Sequence, residues 1–334
     1  MPSVRDIAKT AGVSIGTVSR VLNNKPHVSA TARAKVMQAA NLAASDRPLN
    51  GKTGTASVAL VYGGRSSLNS AFDASILHGI AEGLNSTPFD LMVVNAARGR
   101  GPGESLGQML MRRGVVGALL RTTAETHGMG EELAEDGFPT VVLADRVEND
   151  RIGSVCADTA PAIERALEHL VHLGHRKIAI ALNVIDDHDH AHRLEVYRRF
   201  VDEQGLDFDN RWIIRSPAHH GGGSAALRQA MALPDRPTAV FATDPALGAG
   251  ICVEALRMGI KLPDELSLIG FDDTAERFGT FPRMSSVCQD AVALGMEGLQ
   301  QLLNRLDQRV GPAPRTEVPS WFEPLDSTAP PPSA

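Results

Sequence analysis

Apolar positions in the first two dozen residues recur twice at helical spacing. Val4, Ile7, Ala8 and Ala11 form one stripe and Val18, Val21 and Leu22 a second, with Gly12 breaking the pattern between them. The pattern predicts two short helices joined by a tight turn. Gly12 can adopt the positive φ such a turn requires, and Ser14 can accept from amides at the start of the second helix. A third helix begins near Ser29, which can cap it, and runs through Val36 and Ala40. This is a helix-turn-helix, a motif found in ordinary helical hairpins and in proteins that lay the second helix in a DNA major groove.

Beyond the polar stretch Asn50-Gly51-Lys52-Thr53-Gly54-Thr55 the pattern changes. Apolar runs at 58–62, 91–94, 116–120, 140–143, 177–181, 239–242 and 266–270 suit buried strands, and helical stretches such as 74–84, 160–172 and 246–258 lie between them. Alternation of this kind builds doubly wound parallel sheets, whose ligands bind beyond the carboxyl ends of the strands. A chain of 334 residues is too long for one core, so a body of about 270 residues should divide into two lobes.

Charge separates the two parts. Residues 1–52 carry eight Lys or Arg against Asp6 and Asp46, a net of +6, whereas the whole chain is −6, so the remainder carries −12. A basic head on an acidic body is the electrostatic footprint of a nucleic-acid binder. Hydrophobic residues make up 43% of the chain and charged residues 22%. No apolar run approaches the ~20 residues of a membrane span, and no signal-peptide pattern opens the chain, so no membrane association and a cytoplasmic location are expected. Cys156, Cys252 and Cys288 are odd in number and lack CxxC spacing, which argues for small buried apolar residues rather than a disulfide framework or zinc site.

Residues 4–23, with His27-Val28-Ser29 and Arg33-Ala34-Lys35-Val36 after them, resemble the DNA-binding head of the LacI/GalR family of bacterial transcription regulators. The segments at 173–179, 193–197 and 241–248 and the turn Gly270-Phe271-Asp272-Asp273 resemble that family's effector domain, itself related to periplasmic sugar-binding proteins. Two departures stand out: Val196 replaces a glycine common in the family, and Thr243 replaces an asparagine. The resemblance implies an all-α helix-turn-helix head at 1–46 and a hinge at 47–56. An α/β periplasmic-binding-protein-like effector domain of two doubly wound parallel-sheet lobes follows at 57–318, and then a tail at 319–334; independently of the resemblance, the prolines of 311–334 suggest a disordered end. One lobe comprises 57–157 and 287–318 and the other 158–286, with three crossovers between them.

By the same resemblance Ile15, Gly16 and Arg20 hold base-reading positions. Arg20 could pair with guanine or hold a phosphate and Ile15 could meet a thymine methyl, while Gly16 has no side chain with which to read a base. Ser14, Thr17 and Ser19 suit phosphate positioning, and Asn23 is counted with the DNA contacts. The family's hinge motifs are absent from 42–51. Leu49 could still wedge into the minor groove behind a helix opened by Pro48, or the stretch could be plain linker; both readings stand.

Asp145, Arg193, Asp244 and Asp272 fall at predicted strand ends or loops, and together they suit the vicinal hydroxyls of a sugar. Family likeness puts Arg193 and Asp272 in direct contact with the effector and adds Gln289 to the set. Asp244, followed by Pro245, also reads as a helix start. Thr243 offers one donor where asparagine offers two donors and an acceptor, so the ligand's hydrogen-bond pattern should differ from that of a typical hexose. The stretch Asp186-Asp187-His188-Asp189-His190-Ala191-His192 reads as a loop. Its histidines could be solvated or could bind a divalent metal, or His188 or His190 could touch an acidic or phosphorylated effector. His219, before His220 and three glycines, could replace an aromatic effector contact.

The body carries no Gly-x-Ser-x-Gly elbow, no Walker A loop and no His-Glu-x-x-His, and 99–103 with Pro102 reads as a surface turn. No enzyme, cofactor or metal is expected. The expectation is a homodimeric bacterial repressor at the nucleoid that binds double-stranded operator DNA, controlled by a sugar or sugar derivative held between the lobes. The rival is a cytoplasmic sugar-sensing protein with a degenerate head.

Overall fold

In the head, each helix starts on a hydroxyl. Helices α1 (Val4–Ala11), α2 (Ile15–Leu22) and α3 (Ala30–Ser45) follow Ser3, Ser14 and Ser29, whose side chains accept from the amides of Asp6 at 3.2 Å, Thr17 at 3.1 Å and Ala32 at 3.2 Å. Gly12 ends α1 at φ 63° and donates back to the carbonyls of Ala8 and Lys9. Ile7, Ala8, Ala11, Val18, Val21, Val36 and Met37 close one small core, whereas Val4 and Leu22 lie 37% and 41% exposed, outside the stripes expected for them. Met111 packs on this core from the next domain, and Gln108 Nε2 donates to the Val21 carbonyl at 3.4 Å. The computed structural model describes residues 3–22, 25, 28–45, 56–63, 68, 70–184, 187–308 and 313–332. Asn23, His27, Pro48, Leu49 and Asp186 lie outside these.

The body begins with β1 (Ser57–Tyr62), α4 (Ala71–Leu84), β2 (Asp90–Asn95), α5 (Leu106–Arg112), β3 (Val115–Arg121), α6 (Gly128–Glu135), β4 (Thr140–Leu143) and β5 (Gly153–Asp158). It continues with α7 (Ala160–His172), β6 (Ile178–Asn183), α8 (His188–Glu203), β7 (Ile213–Ser216), α9 (His220–Met231), β8 (Ala239–Ala242), α10 (Pro245–Met258) and β9 (Ser267–Asp272). The last elements are β10 (Ser285–Cys288), α11 (Ala291–Gln308), β11 (Arg315–Pro319) and β12 (Trp321–Glu323). Contacts divide the chain into a first unit, 1–156 with 292–316, and a second, 157–291 with 317–334.

Both units use the same strand plan. The first sheet runs β11-β5-β4-β3-β1-β2 and the second β12-β10-β9-β8-β6-β7. The pairs β1–β2, β1–β3, β3–β4 and β4–β5 are parallel, as are β6–β7, β6–β8, β8–β9 and β9–β10. In each unit one strand is followed in sequence by a neighbour on one side and then on the other, a topological switch beyond whose carboxyl ends ligands collect. Glycines let helices touch backbone to backbone. A Cβ at Gly79 of α4 would meet the Val292 carbonyl oxygen at 2.0 Å, and one at Gly223 of α9 would meet that of Leu247 at 2.2 Å. The stretch 221–223 lies in the first turn of α9.

Two expectations are corrected here. Strand β10 pairs with β9 in the second sheet, so residues 287–291 belong to the second unit and not to the first. The expected disordered tail is built into that unit: β12 pairs antiparallel with β10, and Ser327 Oγ donates to the Leu268 carbonyl and accepts from Ser285 N at 2.8 Å. Buried His175 holds the end of this segment, with Nε2 2.8 Å from the Ala329 carbonyl and Nδ1 2.8 Å from Thr238 Oγ1. Prolines that cannot extend a ladder can still follow one when side chains satisfy the backbone. The three cysteines form no disulfide and are buried, and burial pushes Cys252 up to about 11 and Cys288 to about 12.

Candidate functional sites

The second helix of the head presents a mixed face to solvent. Ser14, Ile15, Gly16, Ser19 and Arg20 are exposed, Thr17 is half-buried, and Val18 and Val21 point into the core. Ile15 is an apolar side chain left 51% exposed. Around Gly16 the nearest atom to an added Cβ is Ser14 Oγ at 3.7 Å, so its small size answers no packing demand.

In the first unit, Asp145 follows β4 just after Ala144, which sits at φ 53°. Its buried carboxylate accepts from Thr122 Oγ1, from Arg146 N at 2.8 Å and from His127 Nδ1 at 3.3 Å. Arg121, unremarked in the sequence, ends β3 bound to Asp73 at 3.0 Å and to the Leu143 carbonyl at 2.9 Å.

In the second unit, the carboxyl ends of β8, β9 and β10 deliver Thr243, Asp244, Asp272, Asp273 and Gln289, while α8 opens after β6 and carries the histidines. Residues 188–192 of the stretch read as a loop thus open a helix. Asp187 caps it, accepting from His190 N at 2.8 Å and from His190 Nδ1 at 2.7 Å. Burial opposes ionisation of Asp187, but the hydrogen bonds and charge of His190, with Arg193 adding, pull it down to about 2. An ionised carboxylate only accepts, so His190 donates to it from Nδ1, and Nε2 faces away from Asp187. An Asp three residues before a polar helical position was the available signal for this cap. His188 and His192 stack with centroids 6.0 Å apart. No group of three or more His, Cys, Asp or Glu that could hold a metal occurs among the described residues.

Several expected effector residues are engaged with their own backbone. Thr243 Oγ1 donates to the Ala181 carbonyl at 3.1 Å, and Asp244 accepts from Ala246 N at 2.9 Å as the cap of α10. His219, exposed, caps α9 by accepting from Gly222 N at 3.0 Å. The carboxylate of Asp272 takes four donors: Thr274 N and Glu276 N on one oxygen, Arg277 N and Arg277 Nη1, at 2.5 Å, on the other. Arg277, which the sequence reading overlooked, is shared with Glu323 of the terminal segment at 2.7 Å. Asp272 therefore closes its own turn.

Other groups remain open. Arg193, 5% exposed, donates from Nη1 to the Thr243 carbonyl at 2.7 Å and lies 3.8 Å above the Phe271 ring, but its Nε has no partner. His190 Nε2, His188 Nε2 and Gln289 Oε1 are likewise buried without a hydrogen bond. Gln289, 4% exposed, donates from Nε2 to Asp273 at 2.6 Å. Burial pushes Asp273 up to about 7; the charges of Asp244 and Asp272 push the same way, and the Gln289 bond and Arg193 oppose them. Unpaired buried polar atoms are costly; four lie on α8 and after β10, and others lie on α6, α10 and α11, at Glu131, Glu254, Gln301 and Arg305.

Comparison with known proteins agrees with this architecture. Residues 3–43 match the family described as bacterial regulatory proteins, lacI family, and residues 167–328 match the periplasmic binding protein-like domain. The chain is 24% identical over 333 residues to catabolite control protein A of Priestia megaterium, covering 98% of this chain and 99% of that one. It is 28% identical over 320 residues to the ribose operon repressor of Haemophilus influenzae, with 92% of each covered. A solved complex of the transcriptional regulator CelR with cellobiose is similar at 26% identity and a TM-score of 0.71, over 98% of this chain and 100% of that one. A capped helix-turn-helix head that matches the lacI family of bacterial regulatory proteins and a body that matches the periplasmic binding protein-like domain thus stand in one chain, which is similar along nearly its whole length to bacterial transcription regulators.

Proposed function

We propose that the chain is a transcription repressor that binds operator DNA as a homodimer, its DNA affinity set by a small polyhydroxyl effector, a sugar or sugar derivative. The observation that carries this reading is the outward face of α2, where Ile15, Ser19 and Arg20 stand exposed on a fully capped and packed head. The open atoms of Arg193, His188, His190 and Gln289 support the effector, since hydroxyls both donate and accept. Similarity to a ribose operon repressor and to a regulator bound to cellobiose points to the same ligand class. Exposed Val253 and Leu256 of α10, the latter 82% exposed, and Phe281 at 96% support a second copy covering the second unit. Control requires that the effector bind more tightly to one of the DNA-competent and DNA-incompetent states. Action on an operator places the protein at the nucleoid in the cytoplasm.

Selection of bound fragments from sheared genomic DNA at near-physiological salt tests the reading. Enrichment of a short inverted repeat is expected. Recovery of sequence-independent fragments alone, lost steeply as salt rises, with or without sugars, would overturn it.

A further inference from the structure

The head and the first sheet fall in one unit, and two side chains of α5 join them. Gln108, 9% exposed, is the third residue of α5; its Oε1 accepts from Ser105 N at 3.1 Å, while Ser105 Oγ accepts from Gln108 N at 3.3 Å. That reciprocal cap uses only the amide oxygen, and glutamate would serve it equally well. The amide nitrogen goes elsewhere. It donates at 3.4 Å to the carbonyl of Val21, one of the last four carbonyls of α2, which have no partner within their helix. Met111, three residues on and so on the same face of α5, packs on the head core as Val13 and Val28 of the head itself do. Helix α3 comes within 8 Å of β3, measured between Cα atoms. The charge of Arg33 on α3 acts on Asp136, a buried carboxylate at the end of α6 that accepts from Gly107 N of α5 at 3.2 Å. Through all of these contacts Ser14, Ile15, Gly16, Ser19 and Arg20 stay exposed.

We infer that the face of α5 carrying Gln108 and Met111 is a docking surface for the chain's own head, which it holds as one body with the first sheet while leaving the outward face of α2 free. The inference goes beyond the DNA-binding reading, because docking sets the angle at which α2 is offered whether or not that face meets an operator. The stretch from Asp46 to Thr55 is mostly polar and contains Pro48, Gly51 and Gly54, a composition that by itself leaves the orientation of what it joins unset. A tether of about ten residues holds two surfaces at a roughly millimolar effective concentration, so a contact of a few side chains need bind only weakly to stay occupied. Val18 and Val21 line the core that Met111 joins, so α2 cannot turn about its axis without breaking that contact. A head already held loses less rotational freedom on binding DNA than a tethered one, which raises affinity without a new contact to the nucleic acid.

Time-resolved fluorescence anisotropy of the full-length protein tests this. One dye is placed on Thr10→Cys, exposed on α1, and a reference dye on Asn304→Cys, exposed on α11; Cys156, Cys252 and Cys288 are buried and leave the new thiol as the reactive one. A docked head turns with the whole particle, whereas a tethered head adds a nanosecond rotation at residue 10 alone. With the docking surface unaltered, both dyes should show the same slow rotation. Gln108→Glu keeps the cap of α5 but turns a donor into a charge facing a carbonyl, and Met111→Gln removes the apolar contact. Combined, they should bring out the fast rotation at residue 10 and leave residue 304 unchanged. A fast rotation at residue 10 before these changes, or one that stays absent after them, overturns the inference. If the double variant fails to fold, Gln108→Glu alone should bring out the same component at smaller amplitude, and its absence has the same force. Operator selection run in parallel keeps the two readings apart. A slow head on a protein that selects no operator sustains the docking and removes the DNA-binding reading, and selection by a protein whose head rotates freely does the reverse.

Discussion

Replacing Asp273 by asparagine should make the protein more stable at pH 8, although it removes a hydrogen-bonded carboxylate from the interior of a site. In the unfolded chain this carboxyl titrates at 3.8; in the folded one, burial and the neighbouring Asp244 and Asp272 hold it up to about 7. The folded state therefore binds more protons than the unfolded one across that interval, and stability falls as pH rises from about 4 to about 7. Three units at 1.36 kcal/mol each set a ceiling of about 4 kcal/mol on the penalty above pH 7. Asparagine escapes it but gives up the charge-assisted bond from Gln289, worth about 1.5–3 kcal/mol. A net gain of about 1–2 kcal/mol is expected at pH 8, shrinking and then reversing as the solution is acidified towards pH 4. Urea unfolding of wild type and variant at pH 5, 6, 7 and 8, with unchanged m-values, measures the difference directly. A variant less stable than wild type at pH 8, or a difference that does not move with pH, would refute the electrostatic account of this corner.

Four further outcomes are expected. Asp272→Asn should cost about 2–4 kcal/mol in urea unfolding, since it leaves half-buried Arg277 with Glu323 alone and strips charge from a buried carboxylate bonded to three amides; an effect below about 1 kcal/mol would show that the pair contributes little. Arg20→Ala should cost about 1–3 kcal/mol on a selected operator in a fluorescence binding assay, relaxing one base position if the side chain reads a base and lowering the salt slope by about 1 if it holds a phosphate. An unchanged affinity would remove α2 from the interface. Gly16→Asn fits without a clash and should fold, and it should add an adenine preference at one position of the selected motif; a motif identical to that of the wild type counts against major-groove docking of this face. His175 is held below its ordinary pKa by burial, against the pull of the Ala329 carbonyl and with help from His169, so its unfolded state takes up protons first and its contribution is lost as pH falls through about 6.5. Limited proteolysis should accordingly release the terminal segment 320–332 faster at pH 5.5 than at pH 7.5 in wild type. His175→Gln should cut quickly at both pH values, and equal rates in wild type would sink the pH dependence.

Local pattern alone determined a good deal of this protein. The stripes at Ile7, Ala8, Ala11 and Val18, Val21, with Gly12 at a positive φ between them, specify the head because helical period and turn chemistry are properties of adjacent residues. Strands β4 and β8 were legible to the residue because their apolar runs are flanked by breakers, and the +6 charge of residues 1–52 followed from counting. Strand β10, with its Ser-Ser-Val-Cys sequence, was not legible: polar residues are fully buried there by bonds to Ser327, Met284 and Thr328 that no window on the chain can foresee. Among the effector candidates, residue type and position after a strand could not distinguish Asp272 from Asp273. Tertiary structure decided it by bringing Arg277 and three turn amides onto one carboxylate and Gln289, Arg193 and Asp244 around the other. In the same way Asp187 turned an apparent His-rich loop into the capped start of α8, and His175 turned a proline-rich end into part of the second unit. Partners distant in sequence set the outcomes at Asp273 and His175, while at Asp272 and Asp187 the partners are local and the backbone turn that gathers them decided, because the chemistry of a carboxylate or an imidazole depends on which donors and charges the fold places against it.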